Sequence, residues 1–186
     1  MSIVTRLTAE EFVHGDLPRN TELLFGEVIV TDPTLLHQRV MKCLLYALEQ
    51  WVRSGRDRGE VGFGGNWVLG PDTVLVPDLW WITSDRQGEL SLLWHDTVPD
   101  LAVEVRSPGT WRYDVGPKRT LYEQSGVAEL WLVDPPGEAV LVNRRSKGSA
   151  TFDQLLEVPI AGLLTSPLLP DFSLAVAELL ADPTRS

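Results

Sequence analysis

The stretch Asp100–Arg106, DLAVEVR, constrains the fold of this chain more than any other. Leu101, Val103 and Val105 alternate with Ala102, Glu104 and Arg106, which is the period-two pattern of a strand. Its apolarity predicts a central place in a sheet. Glu104 nevertheless stands among residues that expect burial, and a buried carboxylate is costly unless it is paired, protonated or bound to a metal. An ordinary core ion pair between Glu104 and an arginine would satisfy the same pattern. The strand ends at Ser107-Pro108-Gly109, and a helix beginning near Asp114 then delivers Lys118 within its first turn or two.

A second anomaly of the same kind lies upstream. Thr73–Thr83, TVLVPDLWWIT, reads as a strand whose Val74, Val76, Asp78, Trp80 and Ile82 share one face. Asp78 is an acid in an otherwise apolar row, preceded by Pro77. A loop from Ser84 to Thr97 separates this strand from that of Glu104, which predicts that the two acid-bearing strands are neighbours in one sheet. Two carboxylates so placed can hold a divalent cation, and oxygen ligands suit Mg²⁺ or Mn²⁺. Such a cation activates a water and offsets charge building on a phosphoryl group. A nearby lysine can orient that water or stabilise the anionic transition state.

The remaining elements follow from local signals. Thr8-Ala9-Glu10-Glu11 has the form of a capping box, and Thr21–Thr31 reads as a hairpin with Gly26 near its turn. Phe25 is an unusual companion for that glycine, since tight hairpin turns prefer Asn or Asp there. Glu22 and Glu27 flank the turn and, taken singly, are expected to face solvent. A long helix is predicted over 34–53, with Leu36, Val40, Cys43, Leu44, Ala47, Leu48 and Trp51 forming its buried face and His37 at the border of that face. VGFGGNWVL reads as one strand, and its glycines match neither a dinucleotide-binding loop nor a phosphate loop. A helix after Gly116-Pro117 sets Lys118, Leu121, Tyr122 and Ser125 on one side and ends at Gly126, with Pro117 tolerated as a first-turn residue. AELWLVDP and AVLVNRR are strands; the rest is expected to be a strand, a proline-bracketed loop and a short terminal helix.

Composition excludes several classes. With 186 residues, 44% apolar and 23% charged, the chain is expected to be one domain over 1–186. The lone Cys43 cannot form an internal disulfide, and no apolar run reaches a membrane-spanning length. No signal peptide is evident, so a cytoplasmic location is expected. The formal net charge of -10 argues against tight, sequence-independent binding of nucleic acid, although Arg106, Arg112, Lys118 and Arg119 could form a local basic surface.

Pro77-Asp78 followed by Glu104-Val105-Arg106 resembles the PD-(D/E)XK signature of restriction-endonuclease-like nucleases. The surrounding ELLFGEV, HQRV, VPDLW, PDLAVEVRSPGT, GVAELWLVDP and SPLLPDF resemble a family of small bacterial predicted endonucleases, long catalogued as a domain of unknown function. The resemblance runs from Leu7 to about Leu180 and implies an α/β fold, a restriction-endonuclease-like mixed β-sheet flanked by helices. It also implies an Mg²⁺- (or Mn²⁺-) dependent endonuclease that hydrolyses DNA phosphodiester bonds. Asp78 and Glu104 match the two metal-binding acids, with the backbone carbonyl of Val105 as a further ligand. Arg106 occupies the signature's lysine position, and Lys118 on the following helix stands in for it as the catalytic lysine. Arg106 would then grip a phosphate or pair with Glu104. Glu22, Glu27, His37 and Tyr122 fall at or near positions that the resemblance associates with the site. Phe25 departs from the acidic residue usual before Gly26. A non-catalytic binding or interaction protein that retains the nuclease fold is the alternative reading, and the acidic balance favours either it or a narrow, structure-selective substrate. A homodimer is expected from the seven tryptophans and the symmetry that suits two-strand cleavage.

Overall fold

The computed structural model describes residues 6–18, 20–90, 94–95 and 97–181. Helix α1 (Ala9–His14) opens on the expected capping box: Glu11 N–H donates to the Thr8 hydroxyl at 3.2 Å, and Thr8 N–H donates to the Glu11 carboxylate at 2.8 Å. Strands β1 (Thr21–Leu24) and β2 (Glu27–Val30) form the hairpin, turning on Phe25 and Gly26 with φ of 50° and 80°. Helix α2 (Leu35–Arg53) is capped by the Thr34 side chain. Four short strands follow: β3 (Glu60–Gly62), β4 (Asn66–Gly70), β5 (Thr73–Leu75) and β6 (Leu79–Ile82). After a 3₁₀ turn come β7 (Trp94–His95) and β8 (Leu101–Val105). Residues 91–93 and 96 of the loop expected between Ser84 and Thr97 lie outside the described residues.

Helix α3 (Trp111–Tyr113) continues through a π-type turn over Asp114–Lys118 into α4 (Arg119–Ser125). The chain ends with β9 (Glu129–Asp134), β10 (Ala139–Arg144), β11 (Gln154–Pro159), β12 (Leu163–Ser166), β13 (Leu169–Ala175) and α5 (Val176–Leu179). Among the described residues the strands form a six-stranded sheet in the order β11-β10-β9-β8-β6-β3, a five-stranded sheet β2-β1-β5-β4-β7 and the hairpin β12-β13. The larger sheet is mixed: β8 runs parallel to β9 and antiparallel to β6. No described helix is long and apolar enough to cross a membrane.

The expected α/β architecture is present, with β8 inside the larger sheet and buried along its whole length. Helix α2 packs Val40, Leu44, Leu48 and Trp51 onto one face, against Leu79, Trp81, Leu101, Val103 and Val105. The other face offers Ala102, Leu130 and Leu132 to Tyr122 of α4 and to Leu24 and Leu75 of the smaller sheet. Each large apolar side chain buried this way contributes about 1.5–3 kcal/mol. Residue 104 therefore sits between the two sheets.

Several expected boundaries are corrected. Thr73–Thr83 is two strands in different sheets, because Pro77 cannot donate to a ladder and the chain crosses over at Val76-Pro77-Asp78. VGFGGNWVL likewise divides between β3 and β4, where Gly64 and Gly65 take φ of 62° and 82°. Leu36 is exposed, and Cys43 and Ala47 only half-buried. The helix carrying Lys118 starts at Trp111, so Pro117 lies within the helical run. The run accommodates it because Gly116 leaves helical geometry, at φ -108° and ψ -105°. The C-terminal part forms three strands rather than one.

Candidate active site

Glu104 points to the side of the sheet away from α2, as its strand parity with Ala102 requires. Leu79 pairs with Val103, so Asp78, one residue before Leu79, falls opposite Glu104. Strand β6 begins only at Leu79, which leaves the Val105 N–H beyond the ladder. That amide donates instead to Asp78 Oδ2 at 2.7 Å. His37 Nε2 lies 2.9 Å from the same oxygen. Asp78 is thus fixed through one carboxylate oxygen by a backbone amide and an imidazole.

Lys118 arrives from the opposite wall. Its Nζ lies 2.7 Å from Glu104 Oε1, 3.0 Å from Glu22 Oε1 and 3.2 Å from Asp114 Oδ1. The Tyr122 hydroxyl donates to Glu104 Oε1 at 2.6 Å, and Val76 N–H donates to Glu22 Oε1 at 2.8 Å. The π-type turn keeps Asp114 and Lys118, four residues apart, on one side of the helix. The side chains of Lys118, Glu22, Glu104 and Asp114 are each only 4% exposed, so the cluster lies in a low-dielectric interior.

Electrostatics follow from that burial. Burial pushes Glu104 well above the usual carboxylate range, against the pull of Lys118 and with added repulsion from Asp114, Glu22 and Asp78. Asp114 is raised to about 6, again first by burial. For Lys118, burial alone favours the neutral amine, but Glu104, Glu22 and Asp114 together hold the ammonium well above its ordinary range. Burial, then the Glu104 charge, pushes the Tyr122 hydroxyl up as well. Lys118 is therefore an ammonium at neutral pH and cannot serve as a base.

A cleft of about 220 Å³ opens onto this cluster, lined by Glu22, His37, Asp78, Glu104, Asp114 and Lys118 among others. Of the residues singled out from the sequence, Asp78, Glu104, Val105, Lys118, Glu22 and His37 all line it. Tyr122 lies beneath, bonded to Glu104. Glu22 is buried rather than solvent-facing, because Lys118 and the Val76 amide take its charge. Glu27 is exposed on β2 and does not line the cleft. Arg106 does not line it either: its guanidinium bonds Asp134 at 2.9 Å and stacks over Trp111 at 5.5 Å, so its partner is Asp134 and not Glu104. Asp114 was missed as a site residue from the sequence. Its four-residue spacing from Lys118 was the available signal.

The cleft brings four carboxyl groups, Glu22, Asp78, Glu104 and Asp114, against one lysine. This excess of oxygen donors fits a hard divalent cation. Among the described residues no three His, Cys, Asp or Glu side chains form a ready-made metal cage. Glu22, Glu104 and Asp114 converge on the Lys118 ammonium instead. Asp78, Glu104 and the Val105 carbonyl are the groups that could hold a cation, in the manner of Mg²⁺, which uses few protein ligands and keeps its waters.

Comparison with known proteins bears on the family and the fold. A family model described as "Uma2: Putative restriction endonuclease" matches residues 10–177. The fold is similar to the crystal structure of a "putative nuclease belonging to DUF820" from Anabaena variabilis ATCC 29413, with a TM-score of 0.77 and 18% sequence identity over 94% of this chain and 97% of that one. No curated protein matches the sequence.

Proposed function

The chain belongs to the Uma2 family of restriction-endonuclease-like proteins, and from that premise we propose that it is a metal-dependent endonuclease that hydrolyses DNA phosphodiester bonds. The observation that carries this reading is the meeting of Asp78, Glu104 and Lys118 in one cleft, with Lys118 Nζ 2.7 Å from Glu104 Oε1. Asp78, Glu104 and the Val105 carbonyl would hold Mg²⁺ or Mn²⁺. When bound, such a cation lowers the pKa of its water and offsets the charge that builds on the phosphoryl group.

The chain's own residues supply positioning. His37 and the Val105 amide hold Asp78 through Oδ2. Tyr122 and Lys118 hold Glu104 through Oε1. Lys118, kept charged by its carboxylate neighbours, directs its three N–H donors to Glu22, Glu104 and Asp114. With Glu104 drawn to a cation, the donor it gives that carboxylate would be free to orient the attacking water and stabilise the pentavalent phosphoryl transition state. Glu22 and Asp114 keep its Nζ beside Glu104. Arg106, committed to Asp134, braces the end of β8 and takes no part in the chemistry.

Incubation with supercoiled plasmid and Mg²⁺ tests the reading. Nicking that a chelator stops and Asp78→Ala abolishes is the expected result. Intact plasmid under every metal condition, with DNA still bound, would favour the non-catalytic binding protein instead.

A further inference from the structure

Phe63 lies on the three-residue crossing between β3 of the larger sheet and β4 of the smaller one. It is 66% exposed, yet it lines the same cleft as Asp78 and Lys118. An exposed aromatic on a loose loop would mean little, since single surface hydrophobes are common. This loop is pinned. Gly64 N–H donates to the Pro77 carbonyl at 3.0 Å, next to Asp78. The Gly64 carbonyl accepts from two buried indoles, Trp80 Nε1 at 3.0 Å and Trp67 Nε1 at 3.3 Å. Before Phe63, Gly62 lies against the Trp80 ring so closely that a Cβ there would come within 2.2 Å of it. After it, Gly64 and Gly65 hold left-handed φ. The chain therefore fixes its backbone on both sides of a large aromatic ring and leaves the ring in water at the cleft wall.

The charge of the cleft decides what that ring can bind. Among the described residues lining it, Lys118 is the only lysine or arginine, and it is buried against three carboxylates. Duplex DNA is normally gripped through many phosphates by surface lysines and arginines. Nothing on these walls offers that. A single strand is an anion too, but the part of its affinity that comes from stacking on an aromatic face does not draw on protein charge, and every base presents a π-face once it is unpaired. Resting on the nuclease reading above, we infer that Phe63 is a base-stacking platform beside the catalytic cluster, and that the substrate enters with an unpaired base next to the scissile phosphate. The substrate class is then a single strand, or a duplex opened at the site. The pinned backbone means that little ordering entropy opposes the stack.

Fluorescence anisotropy with a labelled phosphorothioate single strand, and with the same strand annealed to its complement, tests this in the presence of Mg²⁺. Wild type is expected to bind the single strand more tightly than the duplex. Phe63→Ala is expected to weaken single-strand binding by roughly five- to a hundredfold, the scale of one base–aromatic stack. Phe63→Trp should bind as wild type does, and Phe63→Leu should fall with the alanine variant. The ring is exposed, so all three variants are expected to fold, and the rise in melting temperature that the nuclease reading expects from Mg²⁺ should be the same in each. Unchanged single-strand affinity in Phe63→Ala, equal loss on duplex and single strand, or wild-type affinity in Phe63→Leu would overturn the stacking role while leaving the metal site standing. A change of oligomeric mass in Phe63→Ala without a change in nucleic-acid affinity would also overturn it, in favour of a second copy of the chain on this face. Loss of the Mg²⁺-dependent melting shift in wild type itself would instead sink the nuclease reading on which the inference rests.

Discussion

Asp114 lies one helical step from Lys118, its carboxyl 3.2 Å from the ammonium. Burial lifts that carboxyl from 3.8 to about 6, with Lys118 opposing the rise and Glu22 and Asp78 adding to it. Because the folded state holds this proton more tightly than the unfolded chain, its contribution to stability is fully present below the unfolded value. It is lost as pH rises through the folded value of about 6. Asp114→Asn, which keeps a neutral side chain of the same shape, should flatten the fall in stability between about pH 4 and 6 and stabilise the metal-free protein at pH 7 by no more than about 3 kcal/mol. Urea unfolding at a series of pH values measures it. A variant less stable than wild type at neutral pH would mean that the Asp114–Lys118 pair outweighs the cost of burying the charge. The same cluster shows what was legible residue by residue. Asp78, Glu104 and Lys118 stood out because acids in apolar rows demand partners. Asp114 did not, and Glu22 did so only through the family resemblance, because an acid near a helix start or beside a hairpin turn is ordinary on the surface.

The β1–β2 hairpin turns on Phe25 at φ 50° and Gly26 at φ 80°. Glycine takes the left-handed region freely, whereas phenylalanine pays about 1–2 kcal/mol to enter it. Phe25 is half-exposed and belongs to no buried cluster, so little packing offsets the strain. Phe25→Asn should therefore raise stability by about 1 kcal/mol, seen as a rise of about 2–4 °C in melting temperature. A lower melting temperature would show that the ring makes a contact worth more than the turn. The hairpin itself was legible from TELLFGEVIVT, as were the capped helices α1 and α2, since caps and periodicity are local. The two crossings between sheets were not. Alternation continues from Val74 through Asp78 to Ile82 although β5 and β6 belong to different sheets, because period two reports which way side chains point and not which neighbour a strand pairs with. The π-type turn was hidden for a similar reason: Gly116-Pro117 signals a helix start as readily as a kink inside one.

The two sheets meet where these crossings lie, and the meeting forms the cleft. Asp78 ends one crossing, Phe63 and Gly64 sit on the other, and β8 brings Glu104 between them. The net charge of -10 counted against a nucleic-acid partner at the level of composition. At the level of the whole molecule it suits the proposed mode of binding, through a cation and a stacking ring rather than a basic groove. The division of labour between Lys118 and Arg106 is the point on which the proposed chemistry depends. Lys118 touches Glu104 inside the cleft, while Arg106 is bound to Asp134 outside it. The most direct measurement is the rate of Mg²⁺-dependent plasmid nicking by Lys118→Ala and Arg106→Ala beside wild type, at saturating DNA and below each variant's melting temperature. The expected result is a loss of roughly a hundredfold or more for Lys118→Ala, the scale of one transition-state contact, with Arg106→Ala within a few-fold of wild type. Lys118→Ala nicking at the wild-type rate while Arg106→Ala fails would contradict it and return the catalytic cation to β8.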